Sequence, residues 1–237
     1  MNDVKNPYAG YRYPAEIISH AVWLYFRFTL SDRDVEELLA ACGLIVSYET
    51  VRPWCLKFGQ DFANELCRRA PRRGDKWHLD EVYLSINGRC FYLWRAVDQD
   101  GSVLDVLVQP RRNKHAAKRL LRQLLKSLRD VPRVIITDPL KSDEAARKEL
   151  IPGVVEHRPH KGLNNRAELS HPPTRQRERS MRRFKSPGHT QRFLSVHGPI
   201  NNLFRPRRHR MAASDYRAVR TQAFATWQQV TCAQKAD

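Results

Sequence analysis

The hydrophobic period of this chain changes once, and that change decides what the chain can build. Before residue 68 apolar residues recur at helical spacing, and after residue 76 they fall into short strand-like runs. Between them lies RRAPRRGDK (68–76), whose four arginines, proline and glycine suit a solvated linker better than a packed element. A helical unit followed by a mixed α+β unit is expected.

In the first unit Ile17, Ile18, Ala21, Val22, Tyr25 and Phe28 share one helical face after Pro14. Ser31-Asp32-Arg33-Asp34 reads as a capping box opening a second helix with Val35, Leu38 and Leu39, and Gly43 supplies its stop. Ser47 can cap a third helix over 48–58, with Trp54 in its core. Helix, tight turn and helix give a helix-turn-helix, the arrangement that reads DNA. A plain helical hairpin is the alternative, because 31–58 hold five acids against three bases and Pro53 falls inside the third helix.

The second unit predicts strands over 77–86, 90–97 and 103–108, joined by a turn at Asn87-Gly88 and another over 98–101. Asn113 then caps a helix with Ala117, Leu120, Leu121, Leu124 and Leu128 on one face, and 133–137 follow as a short apolar strand. Strand, helix and strand imply a parallel crossover. Three antiparallel strands, a helix and a buried parallel strand are the order of the RNase H-like fold.

Charge narrows the partners. The 237 residues carry 42 Lys+Arg against 25 Asp+Glu, a net +17, which calls for a polyanion, with nucleic acid ahead of an anionic membrane. The excess concentrates in 157–210, where fourteen Lys/Arg face two acids, Glu168 and Glu178. No apolar run approaches membrane-spanning length and the N-terminus has no signal-peptide core, so a soluble, cytoplasmic protein is expected. Five cysteines without a CxxC suggest neither a disulfide framework nor a zinc site, even with His157 and His160 nearby.

Phosphodiester chemistry with two divalent ions needs carboxylates from separate elements converging on one point. Asp138 ends the buried strand, Asp80 lies in the first strand, and Glu168 stands alone inside the most basic stretch. Periodicity cannot choose Asp80 over its neighbour Glu81, which points to the opposite face. Asp98, Asp100 and Asp105 fit turns and a strand end. His171, three residues after Glu168, would share its helical face and could orient that carboxylate or contact a phosphate, unless Pro172-Pro173 end the helix there.

At these residues the chain resembles a known family. YRYPAEIISHAVWLYFRF, DVEELLAACGLIVSYETV, LKFG, WHLDEVY, the run from FYLWRAVD to LLRQLL, IITD, HKGLNNRAELSH, RRFKSPG and QRFLSVHGPI occur in the order found in transposases of the insertion-sequence-six family. These are bacterial DDE enzymes with an RNase H-like core. The resemblance implies that Asp80, Asp138 and Glu168 form the catalytic triad and bind Mg²⁺, with Mn²⁺ as an alternative ion, and it selects Asp80 over Glu81. It also implies DNA partners, both terminal inverted repeats and target duplex, and a homo-oligomer in the synaptic complex. The products would be exposed 3′-hydroxyls joined to target DNA.

The expected layout is α+β: a helix-turn-helix domain over 1–67, a linker over 68–76, an RNase H-like DDE domain over 77–205 and a basic helical tail over 206–237. Arg52 and Lys57 in the helix-turn-helix domain, and Lys161, Asn165, Arg166, Arg175, Arg179, Arg182, Arg183 and Lys185 in the DDE domain, are the expected DNA contacts. Pro53, Asp143, Leu169 and Pro172 depart from the family pattern and leave open a second reading, a catalytically impaired copy acting only as a DNA-binding protein.

Overall fold

The computed structural model describes residues 6–28, 30–71, 74–128, 131–137, 155–159, 171–180, 183–206 and 211–233. Contacts divide the chain into two units, Met1–Arg69 with Pro199–Asp237, and Ala70–Gly198.

The first unit is helical. Helix α1 (Ala15–Arg27) starts where the Pro14 carbonyl accepts the amides of Ile17 and Ile18, both at 3.2 Å. Helix α2 (Asp32–Ala41) opens on the predicted capping box: Ser31 Oγ accepts the Asp34 amide at 3.2 Å, and Asp34 Oδ2 accepts the Ser31 amide at 2.6 Å. It stops at Gly43, whose φ of +78° lets the Leu44 amide turn back to the Leu39 carbonyl.

Helix α3 (Tyr48–Arg69) is twice as long as the expected 48–58 and takes Arg68 and Arg69 out of the linker. Pro53 does not end it. The buried stripe of Val51, Trp54, Phe58, Phe62 and Leu66 outweighs the roughly 3 kcal/mol cost of an internal proline, since each such side chain contributes about 1.5–3 kcal/mol. The C-terminal helix, α7 (Ala213–Thr231), belongs to the same unit. Its Trp227 meets Phe62 of α3 edge-on at 5.4 Å, and Tyr8 Oη donates to the Thr231 carbonyl at 2.5 Å.

The second unit is built on a sheet with strands β1 (Lys76–Ile86), β2 (Arg89–Asp98), β3 (Val103–Gln109), β4 (Val134–Thr137) and β5 (Glu156–Pro159), ordered β3-β2-β1-β4-β5. The first three are antiparallel, and β4 and β5 run parallel to β1. Asn87 and Gly88, with φ of +51° and +74°, make the two-residue turn that sets the β1–β2 register. At the next turn Asp98 Oδ1 accepts the amides of Asp100 and Ser102, both at 2.9 Å. Helix α4 (Lys114–Leu128), capped by Asn113 Oδ1 on the Ala116 amide at 3.1 Å, provides the crossover. This is the RNase H-like order.

Helix α4 lays Ala117, Leu120, Leu121 and Leu124 on one sheet face, against Trp77, Leu79, Trp94, Ala96, Leu107 and Ile135. Among the described residues two further helices follow, α5 (Pro172–Ser180) and the longer α6 (Pro187–Phe204). Pro172 begins α5, a first-turn position where its missing N–H costs nothing. Gln191 of α6 covers the free edge of β3, accepting the Val108 amide at 2.8 Å and donating to the Val106 carbonyl at 2.9 Å. Among the described residues no helix is long and apolar enough to cross a membrane.

Candidate active site

Strand alternation gives β1 two different faces. Trp77 and Leu79 enter the core under α4, so His78 and Asp80 face the other way. The Asn87-Gly88 turn places Arg95 of β2 directly across from Asp80. Both are buried, Asp80 at 8% exposure and Arg95 at 3%. Burial lowers the Arg95 pKa to about 10 although the Asp80 carboxylate pulls it upward, so Arg95 stays a cation beside the acid.

Two further contacts fix the Asp80 carboxylate. Its Oδ1 accepts the Glu81 amide at 2.8 Å, and its Oδ2 lies 2.7 Å from Nε2 of His171, the residue that leads into α5. The His171 side chain is 11% exposed, and its Nδ1 has no hydrogen-bond partner among the described residues. The His171 carbonyl accepts the Arg175 amide at 3.0 Å, which ties the imidazole to the first turn of the helix. The carboxylate that His171 meets is that of Asp80; Glu168, the one expected beside it, lies outside the described residues.

Glu81 is committed elsewhere. It sits on the α4 side of the sheet, its side chain 3% exposed and paired with Arg112. At the end of β4, Thr137 is the register partner of Leu79, and its Oγ1 lies 3.0 Å from His157 Nε2 of β5. Asp138 and Glu168 lie outside the described residues, as do Lys161, Asn165, Arg166 and Arg182.

The other expected DNA contacts are distributed as follows. Arg52 is exposed on α3, and Lys57 stands over the rings of Tyr11 at 4.8 Å and Phe58 at 5.5 Å. Arg175 pairs with Glu178 at 3.0 Å and donates to the Tyr83 carbonyl. Arg179 and Lys185 are exposed. Arg183 is not on the same helix as Arg175 and Arg179: α5 ends at Ser180, and Arg183 has a φ of +71° with its amide bonded to the Glu178 carbonyl at 2.8 Å.

Known proteins are similar to this chain in sequence. A family model described as a DDE domain matches residues 74–207, more than half of the chain. The transposase for insertion sequence-like element IS431mec of Staphylococcus aureus is 32% identical over 160 residues, covering 66% of this chain and 71% of that protein. The chain belongs to the insertion-sequence-six family of DDE transposases. A second staphylococcal relative, the transposase for insertion sequence element IS257 in transposon Tn4003, is 31% identical over the same length. Among solved structures, the HTLV-2 integrase catalytic core domain in complex with magnesium aligns over 62% of the transposase and 94% of its own chain, with 13% identity and a TM-score of 0.40. A simian T-cell lymphotropic virus intasome complexed with PP2A regulatory subunit B56 gamma aligns over 54% and 49%, with 15% identity and a TM-score of 0.42.

Sequence reasoning missed two features of this transposase site. Arg95 was within reach of arithmetic, because a two-residue turn at 87–88 pairs positions that sum to 175, and 80 pairs with 95. Strand β5 was not, since EHRP carries no strand pattern and forms only beside an existing β4.

Proposed function

We propose that Asp80, Asp138 and Glu168 are the catalytic carboxylates of this insertion-sequence transposase, with His171 as the residue that orients Asp80. The observation that carries the reading is the Asp80 environment: a buried carboxylate with one oxygen on a backbone amide and the other on an imidazole, on the strand face opposite α4. Its neighbours in sequence and register support the other two. Thr137 pairs with the residue before Asp80 and is followed in the chain by Asp138, and Glu168 precedes His171 by three residues.

An all-oxygen donor set suits a hard divalent ion. Mg²⁺, or Mn²⁺ in its place, supplies activation of the attacking oxygen and stabilisation of the leaving one when these carboxylates bind it. The residues of the chain do the rest. Arg95 sets a cation directly across the strand from Asp80, and His171 fixes the direction of its second oxygen.

The reaction has two steps. Water attacks the phosphodiester at each transposon end and releases a 3′-hydroxyl. That hydroxyl then attacks a target phosphodiester, and one target 3′-hydroxyl leaves. Arg52 and Lys57 would hold the terminal inverted repeats, and Lys161, Asn165, Arg166, Arg175, Arg179, Arg182, Arg183 and Lys185 the sugar-phosphate backbone near the site. The protein would act as a homo-oligomer that brings two ends together, in the bacterial cytoplasm on the nucleoid.

A strand-transfer assay with matched terminal repeats, Mg²⁺ and a supercoiled target tests this. Asp138→Asn and Glu168→Gln are each expected to abolish joining while retaining end binding. Joining that survives either change removes that residue from the triad.

A further inference from the structure

The outer face of α4 is basic along its whole length. The segment KHAAKRLLRQLLKSL contains five Lys/Arg and no acid. Arg119, Arg122 and Lys126 are exposed and stand at spacings of three and four, so they line one side of the helix. They form no ion pair among the described residues. Some exposed arginines elsewhere are matched, Arg68 and Arg69 with Glu65, Arg133 with Asp75, and Arg158 with Glu156, while Arg52, Arg179, Arg217 and Arg220 are exposed and form no ion pair among the described residues. A face made for solubility alone mixes signs as the matched pairs do.

We infer that Arg119, Arg122 and Lys126 form a second DNA-backbone surface, on the side of the sheet opposite Asp80. The placement follows from the packing. Leu120, Leu121 and Leu124 of the same helix press on the Trp77 and Leu79 face, while Asp80 points from the other. A duplex held along α4 is thus separated by the sheet from the Asp80 site, and the surface serves DNA beyond the bond being cut. From Arg119 to Lys126 the helix rises about 10 Å, the axial span of about three phosphates of one strand. None of the three side chains is part of the core, and flexible cations without paired acids suit phosphates in any sequence.

The choice of DNA over other polyanions rests on the transposase reading; the surface itself does not. The test uses the full chain carrying Arg119→Gln, Arg122→Gln and Lys126→Gln, and a duplex lacking the element's ends. Fluorescence anisotropy across about 50 to 200 mM salt gives the slope of log affinity against log salt, expected to become shallower by about 2.7, or 0.9 per lost contact. Arg122→Gln alone is expected to remove about 0.9 and covers the case in which the triple variant misfolds. An unchanged slope overturns the surface, as does a variant that loses affinity for structured RNA but not for duplex DNA. End cleavage by the unaltered protein is measured alongside. Its absence would sink the catalytic reading and leave the slope informative.

Discussion

The two faces of the central sheet use the same strands for opposite purposes. Under α4, Trp77, Leu79, Trp94, Ala96 and Leu107 make a dry layer that holds the unit together. One residue along each strand, the other face carries His78, Asp80 and Arg95, polar groups that cost stability to bury, beside the apolar Leu84, Ile86, Leu93 and Val97. Alternation at period two lets a single strand be scaffold and site at once. Changes on the α4 face should therefore move stability and leave chemistry alone, whereas changes on the Asp80 face should do the reverse.

The sharpest way to break the comparison is Asp80→Asn. It keeps an oxygen for the Glu81 amide and removes the charge, so joining should fall at least about 10³-fold, a loss of about 4 kcal/mol in transition-state stabilisation. Initial rates under saturating end DNA, beside a thermal melt, check it. A variant that joins normally would mean that this face is only structural.

Leu120→Ala is the mirror experiment. Leu120 is fully buried against the sheet, and its truncation should cost about 3–5 kcal/mol in urea unfolding. Well below the melting temperature, joining per folded molecule should stay within about twofold, a change below 0.5 kcal/mol.

Much of this division was legible before any coordinates. The capping box at Ser31, the Asn87-Gly88 turn and the Asn113 cap are local chemistry, and each formed as its residues dictate. The turn at 87–88 even fixes the register, and with it the alternation that separates Glu81 from Asp80. What stayed hidden depends on contacts distant in sequence. The length of α3 past 58 follows from its buried stripe, and the His171–Asp80 contact joins residues 91 positions apart. Asp105 was read as a strand-end acid, yet it lies within β3, where the helix above decides its solvation.

Asp105 is the exception that sharpens the comparison, since it places a carboxyl on the dry side. Burial raises its pKa to about 6, against the pull of the Val106 amide and the Gln123 side chain of α4. The folded state therefore binds this proton more tightly than the unfolded state, whose carboxyl titrates near the ordinary 3.8. Stability should fall as pH rises from about 4 to about 6, by about 2–3 kcal/mol, and stay down above that range. Asp105→Asn should abolish that slope and stabilise the protein at pH 7.5. Urea unfolding at both ends of the range measures it, and a slope that persists in the variant assigns the effect to another group.

The smallest effect separates positioning from packing on the Asp80 face. His171 Nε2 donates to Asp80 Oδ2 at 2.7 Å, and among the described residues it meets the proposed site through that carboxylate. Partners of this kind typically change metal affinity 10–100-fold when removed. His171→Ala should thus raise the Mg²⁺ concentration for half-maximal joining about 10-fold, equivalent to about 1.4 kcal/mol, with the rate at saturating Mg²⁺ changed much less. His171→Gln can return a polar atom near the Nε2 position and should restore most of the Mg²⁺ response. A purely structural histidine would lower the melting temperature and the saturated rate together, and glutamine would not rescue it. If both variants lose stability in parallel with joining, the imidazole is part of the scaffold, and the division between the two faces fails at the residue where it is most exposed to test.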